Sequence, residues 1–359
     1  METFPHFAQN GLDNRLLNTK KWKKLNSSYF FQTMWKPFPM FHKGDIMKND
    51  ERLKKNSVKK GIVIVGEVLV DVISENNEIV TLFGGSPANI AVNLSHMGID
   101  DITLHASVGD DIHGQFIIET LKNNDIDVSF INTTASKTSV VMINKTTETP
   151  IPRFRREADY EIKLTNDLKK KIIESKIFHF SYWPISFKQS FEIIKEMIQI
   201  ARVNNTLIGF DPNYHSALYH GGATIHDIVE LIKDVDIMKP SLDDAKRLFG
   251  NGYTHIEYLE KFVSLGVKIV VMTLGKDGLI ANINGVIIKQ PSLAKNIVDA
   301  TGAGDAFYSG LYAGLIKGYD VETVMTLGSL CSAYNLEVVG GIAHIPHIDI
   351  LLEEIKRRY

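Results

Sequence analysis

Only one cysteine, Cys331, occurs among the 359 residues of the chain. One thiol cannot form an internal disulfide, and this scarcity is typical of proteins that fold in a reducing compartment. Long apolar runs are also missing, because none reaches the roughly 18 residues that a membrane-spanning helix needs. These absences exclude a disulfide-stabilised scaffold and favour a cytoplasmic protein that has no membrane partner.

A large excess of one charge is lacking too, since the formal net charge of the whole chain is −2. Such a balance gives no reason to expect a nucleic-acid partner. The charge is nevertheless uneven, because residues 1–60 hold 13 Lys and Arg against 5 Asp and Glu. Residues 1–58 also sustain neither helical nor strand periodicity. We interpret 1–58 as a basic, flexible extension, and leave open a transit peptide or a basic-aromatic arm that binds nucleic acid or another partner.

Two common nucleotide-binding motifs are absent as well. The only Gly-Lys pair, Gly275-Lys276, continues with Asp277, whereas a Walker A motif has Ser or Thr there. The first apolar run is followed by Glu67 and not by the glycine-rich dinucleotide fingerprint. The sequence therefore supports neither a P-loop nucleotidase nor an NAD-dependent enzyme.

Residues 59–359 alternate between short β-branched runs and amphipathic helical stretches. We predict buried strands at 61–66, 102–108, 177–181, 207–211, 235–238 and 269–274, and helices at 116–123, 191–203, 225–233 and 258–265. This alternation is typical of a doubly wound α/β sheet. Two further segments, at about 72–83 and 138–156, contain turns between shorter strands, and they predict a small second sheet that forms a lid. An extension at the edge of the main sheet is the alternative that we leave open.

The run from Asp299 to Asp305, which reads Asp-Ala-Thr-Gly-Ala-Gly-Asp, lies between a strand-like stretch ending at Ile297-Val298 and a small-residue helix over 306–315. A glycine-rich helix N-terminus presents unpaired backbone N–H groups at the positive end of the helix dipole, and this binds anions. Asp305 falls in the first turn, where the dipole should lower its pKa. An anion beside a carboxylate base predicts phosphoryl transfer.

Three other features fall at strand ends, where open α/β sheets bind their ligands. The glycine-rich turn from Gly84 to Asn89 enters a predicted helix, and the Asn89 amide can both donate to and accept from hydroxyl groups. Asp71 comes shortly after the first strand, and the turn over 273–278 follows another. We therefore predict a site with an anion on one side and a hydroxyl-bearing molecule on the other.

The residues of these motifs resemble a known family. The run from Gly84 to Ala91 (Gly-Gly-Ser-Pro-Ala-Asn-Ile-Ala) resembles the N-terminal signature of the PfkB (ribokinase-like) carbohydrate kinases, and 299–305 matches their C-terminal signature. The resemblance spans about 61–359. It implies a three-layer α/β/α domain with a small β-sheet lid, and transfer of the γ-phosphoryl group of ATP to a sugar hydroxyl.

The resemblance also implies a role for each matching position. Asp305 would accept the proton of the sugar hydroxyl, while backbone N–H groups would stabilise the transferred phosphoryl at Gly302, Ala303 and Gly304. The remaining implied contacts are with the sugar, at Asp71, Gly84, Gly85, Asn89 and Arg156; with ATP, at Thr273, Gly275, Gly278 and Ser241; with magnesium through water, at Asp244; and with a potassium ion, at Asp299 and Thr301.

Departures from the family pattern bear on metal and substrate. Ser241 and Asp244 stand where the family has Asn and Glu, which weakens the match for magnesium. Gly66-Glu67 followed by Asp71 resembles fructokinases and 2-keto-3-deoxygluconate kinases. We therefore expect a fructokinase-like enzyme that uses MgATP, and leave open 2-keto-3-deoxygluconate kinase, a nucleoside kinase and a catalytically silent regulatory protein. An exposed lid strand also allows a homodimer through the lid.

Overall fold

The computed structural model describes residues 56, 58–75, 78–144 and 153–358. The predicted extension over 1–58 lies outside these residues apart from Asn56 and Val58. The predicted lid turns, at 76–77 and 145–152, also lie outside them.

The strands of the described residues are, in chain order, β1 (Lys60–Val65), β2 (Leu69–Glu75), β3 (Glu78–Gly84), β4 (Ile102–Gly109), β5 (Ile131–Thr134), β6 (Val140–Asn144), β7 (Arg153–Arg155), β8 (Ser175–Ser181), β9 (Leu207–Asp211), β10 (Ile237–Met238), β11 (Ile269–Thr273), β12 (Leu279–Ile283) and β13 (Val286–Gln290).

The helices are α1 (Ser86–His96), α2 (Ile112–Asn123), α3 (Asn166–Glu174), α4 (Tyr182–Ile185), α5 (Lys188–Val203), α6 (Ile225–Ile232), α7 (Leu242–Phe249), α8 (His255–Ser264), α9 (Ala303–Lys317), α10 (Val321–Leu336) and α11 (Ile348–Arg358).

Nine strands form the main sheet in the order β13-β12-β11-β10-β9-β8-β1-β4-β5. The strands from β11 to β5 in that order pair in parallel, which places their carboxyl ends at one edge. The six predicted buried strands correspond to β1, β4, β8, β9, β10 and β11, and the four predicted helices to α2, α5, α6 and α8. The predicted α/β fold class is therefore confirmed.

The antiparallel hairpin of β12 and β13 extends the main sheet and was not predicted. Its signal is present in the sequence as Asn284-Gly285, since both residues take the positive φ angles (49° and 90°) that a two-residue hairpin turn favours.

Two layers of helices cover the main sheet. On one face, apolar residues of β1, β8, β9, β10 and β11 form a core with residues of α3, α5, α6 and α8. On the other face α9 packs against both α1 and α10. Gly310 explains how closely α9 and α10 approach, because a Cβ atom there would collide with the backbone of Leu327. The small residues after Asp305 therefore serve helix packing.

The second sheet has the order β3-β2-β6-β7, and we call it the lid. Its strands come from or adjoin the two predicted lid segments, with β2 antiparallel to β3 and parallel to β6. Asp71 lies in β2, opposite Leu82 of β3 and Val141 of β6. The predicted sugar-binding carboxylate therefore belongs to the lid and not to the main sheet.

The strand predicted to end at Ile297-Val298 is absent from the structure. Both residues lie in a loop and are 61% exposed, so they do not belong to the buried sheet that their β-branched side chains suggested. Among the described helices, none is long and apolar enough to cross a bilayer.

Candidate active site

The site is built around the start of α9, where residues 302–304 form what we call the anion cradle. Gly302 is the N-cap of α9 with a φ angle of 75°, which strongly favours glycine. A Cβ atom on Gly302 would also lie only 2.5 Å from the Cα atom of Gly341. The first N–H groups of α9 lack the partner that a helix interior supplies, although that of Ala303 makes a long bond, 3.3 Å, to the Ala300 carbonyl oxygen.

The Asp305 carboxylate joins the two glycine-rich signatures. One oxygen, Oδ1, accepts a hydrogen bond from the Ser86 hydroxyl at 2.7 Å, and Oδ2 accepts one from the Asn89 amide at 2.8 Å. Both donors lie at the start of α1, more than 200 residues away in the sequence. The structure therefore brings together the two sides of the predicted site at Asp305. Ser86 is an addition, because the sequence analysis assigned it no role.

The prediction that Asp305 has a low pKa is wrong. Burial raises the pKa of this carboxyl above its ordinary value, and this effect outweighs the hydrogen bonds from Asn89 and Ser86 and the nearby charge of Lys239. The sequence indicated a helix N-terminus but could not show how deeply the carboxyl is enclosed. A raised pKa makes Asp305 a better proton acceptor than an exposed aspartate.

On the sugar side, Asp71 of β2 faces Gly84 of β3. A Cβ atom on Gly84 would lie 2.6 Å from Oδ2 of Asp71, and one on Gly85 would lie 2.5 Å from the Glu67 carbonyl oxygen. Burial raises the pKa of Asp71 to about 6. No hydrogen bond to the Asp71 carboxylate is found among the described residues. Its oxygens can therefore accept hydrogen bonds from a ligand, and the glycines provide the space beside it.

Glu67 lies behind the site and was not predicted as part of it. Its carboxyl oxygens accept hydrogen bonds from the Ser86 backbone N–H at 3.3 Å and from the Ser181 hydroxyl at 3.1 Å. Burial raises the pKa of Glu67 to about 8, and the charge of Asp305 contributes to the rise. Glu67 is thus mainly protonated at neutral pH. Through Ser86 it helps to fix the hydroxyl that binds Asp305.

Two further charged residues that the sequence analysis did not assign lie at this edge. Asp211 ends β9 and Lys239 directly follows β10; both are 5% exposed. The Lys239 Nζ atom is 3.7 Å from Oδ2 of Asp211. Burial raises the pKa of Asp211 to about 7, although the Lys239 charge acts in the opposite direction. Their position after neighbouring parallel strands was the available signal.

The residues predicted to contact ATP meet at the end of β11. Thr273 forms an isolated parallel bridge with Ser241, and its N–H donates to the Pro240 carbonyl oxygen at 3.1 Å. Gly275 has a φ angle of 60° and open space where a Cβ atom would be. Gly278 differs, because a Cβ atom there would collide with the Gln290 carbonyl oxygen. Close packing is therefore sufficient to explain Gly278.

The carboxylate of Asp244, which was predicted to support magnesium, already accepts hydrogen bonds within the protein. It forms a capping box with Ser241 at the start of α7, and its Oδ1 atom accepts from the Tyr214 N–H at 3.1 Å. The described residues contain no cluster of three His, Cys, Asp or Glu side chains suited to a metal ion.

In the loop predicted to hold potassium, oxygen atoms of both predicted residues accept hydrogen bonds from other groups of the protein. Asp299 accepts hydrogen bonds from the Thr301 N–H and hydroxyl and from the Gly340 N–H. The Asn335 amide donates to the Thr301 carbonyl oxygen at 2.7 Å and, more weakly, to that of Gly340 at 3.4 Å. Asn335, which the sequence analysis did not single out, thus links this loop to the 340–341 loop.

Arg156 does not fit its predicted contact with the sugar. Its five N–H groups donate to the Asp159 carboxylate, to the Ser186 hydroxyl and to the carbonyl oxygens of Leu218 and Trp183. The side chain is 8% exposed and its partner Asp159 is fully buried. The sequence showed an arginine beside the lid but could not show these acceptors. The contacts instead make Arg156 a structural residue that fixes the segment after β7.

Replacing Arg156 with Met should destabilise the protein by about 3–5 kcal/mol, because it removes one partner of a buried ion pair with Asp159. Urea unfolding measures this loss. The control is Arg155→Met, since Arg155 is half exposed and its ion pair with Glu157 is long, 3.7 Å; it should change stability by less than about 0.5 kcal/mol. A stable Arg156→Met protein with a much higher KM for the sugar would instead support the predicted contact between Arg156 and the sugar.

Comparison with known proteins agrees with this geometry. Residues 59–348 match the sequence profile of the pfkB family carbohydrate kinases. An ATP-dependent 6-phosphofructokinase from Thermoanaerobacterium thermosaccharolyticum is 42% identical over 313 residues, which cover 84% of this chain and 96% of the relative.

Two solved structures show the same fold. The fructokinase of Halothermothrix orenii is 34% identical, with a TM-score of 0.67 over 78% of this chain and 99% of that one. A fructokinase double mutant from Vibrio cholerae, bound to fructose, ADP and potassium ion, is 20% identical, with a TM-score of 0.72 over 82% of this chain and 98% of that one. With two glycine-rich signatures that meet at Asp305, the chain belongs to the pfkB family of carbohydrate kinases.

Proposed function

We propose that this protein transfers the γ-phosphoryl group of ATP to a primary hydroxyl of a ketohexose. The observation that carries the proposal is the Asp305 carboxylate, which is held between the anion cradle and the glycine-rich turn by Ser86 and Asn89. The sugar hydroxyl would give its proton to Asp305 while its oxygen bonds to phosphorus and ADP leaves. Since the transition state is loose, the N–H groups of the cradle contribute by stabilising charge.

The position of each site residue indicates whether it would contact the sugar, the nucleotide or the metal ion. Asp71 would accept hydrogen bonds from the other sugar hydroxyls, and Asn89 could both accept from them and donate to them. Thr273, Gly275 and Ser241 would lie against the nucleotide. Magnesium would arrive with the phosphates of ATP, which hold it largely by themselves, and it would neutralise phosphate charge. Asp244 would act on that ion through water at most, because its carboxylate already forms the capping box.

Fructose is the first candidate substrate, because the Halothermothrix relative is named a fructokinase. A second candidate, fructose 6-phosphate, is favoured by the higher identity of the relative named a 6-phosphofructokinase. The exposed Arg153 and Arg155 of β7 are suited to meet a second phosphate.

A substrate panel with MgATP tests the proposal. Fructose, fructose 6-phosphate, 2-keto-3-deoxygluconate, ribose and adenosine would each be assayed for ADP release and for the phosphorylated product. We expect the highest kcat/KM with fructose or its 6-phosphate. A preference for 2-keto-3-deoxygluconate or adenosine would reject the ketohexose. Binding of a sugar without turnover of any would indicate a catalytically silent regulatory protein.

The same panel run in potassium and in sodium buffer tests the role of a monovalent cation. Both residues predicted to hold potassium already have partners within the protein, because the Asn335 amide donates to the Thr301 carbonyl oxygen and Asp299 accepts three hydrogen bonds. We therefore propose that turnover persists in sodium buffer. Activity that appears only with potassium would instead support an ion held by Asp299 and Thr301.

We also propose that two copies pair through the lid in the cytoplasm. The lid exposes Ile79, Val80 and Met142, which are 71%, 49% and 41% exposed, and apolar side chains on an outer sheet suit pairing with a copy. Light scattering of the purified full chain measures its molar mass, and a monomer at micromolar concentration would contradict the dimer.

A further inference from the structure

Lys239 is held rigidly at the carboxyl edge of the main sheet. Its backbone N–H donates to the Tyr308 hydroxyl oxygen at 2.8 Å, and that hydroxyl donates in turn to the Phe210 carbonyl oxygen at 2.7 Å. The Nζ atom lies 4.9 Å from the centroid of the Tyr308 ring. The backbone and the side chain of Lys239 are thus both fixed by α9, the helix that carries the anion cradle.

The ammonium group of Lys239 has few partners for a nearly buried charge. Its nearest carboxylate oxygen, Oδ2 of Asp211, is 3.7 Å away, which is longer than a hydrogen bond. No hydrogen bond from Nζ to any other described residue is found. Buried lysines are almost always paired, because an unsatisfied charge is costly away from water. Three N–H donors therefore remain available to a ligand.

These donors face the anion cradle. A Cβ atom on Gly304 would lie 3.0 Å from Nζ of Lys239, so Gly304 leaves the space between the ammonium and the start of α9. Lys239 also acts on Asp305, since its charge lowers the pKa of that carboxyl against the effect of burial. The ammonium thus lies beside both the cradle N–H groups and the base.

We propose that Lys239 is a further catalytic residue, whose Nζ donates to a non-bridging oxygen of the phosphoryl group during transfer. The inference rests on the proposed kinase function. In this step the bond from phosphorus to the ADP oxygen breaks and the bond to the sugar oxygen forms, while the hydroxyl proton goes to Asp305. Lys239 keeps its proton throughout and stabilises the charge on the phosphoryl oxygens, as a positioned donor does.

Lys239→Met tests this role, because Met keeps the length of the side chain and removes its charge. We expect kcat to fall by about 10²- to 10³-fold, with little change in the KM for the sugar. Nucleotide binding by calorimetry provides a second readout. Affinity for the non-hydrolysable β,γ-methylene analogue of ATP should fall at least about tenfold, whereas affinity for ADP, which lacks the γ-phosphoryl, should stay the same.

Two further variants separate this role from a structural one. The matched control is Lys268→Met, because Lys268 also pairs with an aspartate at 3.9 Å but lies before β11, at the opposite edge of the sheet; its kcat should be unchanged. The double variant Asp211→Asn/Lys239→Met removes both charges of the pair. If Lys239 only neutralised Asp211, this variant would recover activity, whereas we expect kcat to remain low.

A kcat for Lys239→Met within threefold of wild type would overturn the proposal, as would equal losses of affinity for ADP and for the ATP analogue. Thermal melting confirms that the variants compared are folded. If the proposed function itself were wrong, the wild type would phosphorylate no sugar, and this outcome is distinct from a wrong role for Lys239. The comparison of ADP with the ATP analogue would still report whether Lys239 contacts the γ-phosphoryl.

Discussion

Replacing Asp305 with Asn should lower kcat by about a thousandfold, with little change in affinity for the sugar. The amide has the size of the carboxylate, and its oxygen can still accept the Ser86 hydroxyl, but it cannot take the proton of the attacking hydroxyl. Steady-state ADP release measures kcat, and calorimetry with the sugar alone measures affinity. The effect should fall on the chemical step because Asp305 lies where the cradle and the sugar side meet.

Loss of folding should not confuse this result. Since burial raises the pKa of Asp305, its ionised form weakens the fold at neutral pH, and a neutral amide relieves that cost. Asp320→Asn is the matched control, because Asp320 caps α10 on the surface and Asn caps helices equally well. Turnover of Asp305→Asn close to that of the control would remove Asp305 from the mechanism.

Replacing Asp71 with Asn should raise the KM for the sugar by about 10- to 100-fold while it stabilises the protein. A hydrogen bond to a charged acceptor contributes about 1.5–3 kcal/mol, more than one to a neutral amide. The stability gain follows from the pKa of about 6 in the folded protein against an ordinary 3.8. Between these values the folded state binds more protons, so wild-type stability falls as pH rises from about 4 to 6 and stays reduced above that range.

Thermal melting across pH 4–8 tests the second half of this prediction. Asp71→Asn should remove that fall and gain about 1–3 kcal/mol at pH 7. Asp100→Asn serves as the control, because Asp100 is exposed and lies just before β4, away from the carboxyl edge. A variant that binds sugar normally, or melts at a lower temperature than wild type at pH 7, would show that Asp71 has another role.

Much of the fold could be predicted because it depends on patterns that are local in sequence. β-branched runs and amphipathic stretches identify β1, β4 and β8 to β11, since each element shows its own period over a few residues. Glycine-rich turns are visible for a similar reason, because Gly302 and Gly85 occupy positive φ angles that other residues avoid. Ile297-Val298 shows the limit: β-branched residues also occur in exposed loops.

The rest of the site depends on contacts between distant segments. Lys239 and Asp211 each resemble an ordinary charged residue after a strand, and only the order of the strands brings them together. Arg156 was assigned to the sugar because its charge is visible in the sequence, whereas the four oxygen atoms that accept its hydrogen bonds are not. The raised pKa of Asp305 was missed for the same reason, since enclosure depends on what packs around a residue.

The buried acids affect how the site meets a polyanion. If all three were ionised, Glu67, Asp211 and Asp305 would place three negative charges near Lys239. Such charges would repel the phosphates of a nucleotide. With pKa values of about 8 and about 7, Glu67 is mostly neutral and Asp211 half neutral at pH 7. The protons that Glu67 and Asp211 retain therefore cancel part of this negative charge. By doing so, these protons lower the repulsion toward ATP beside the Lys239 ammonium.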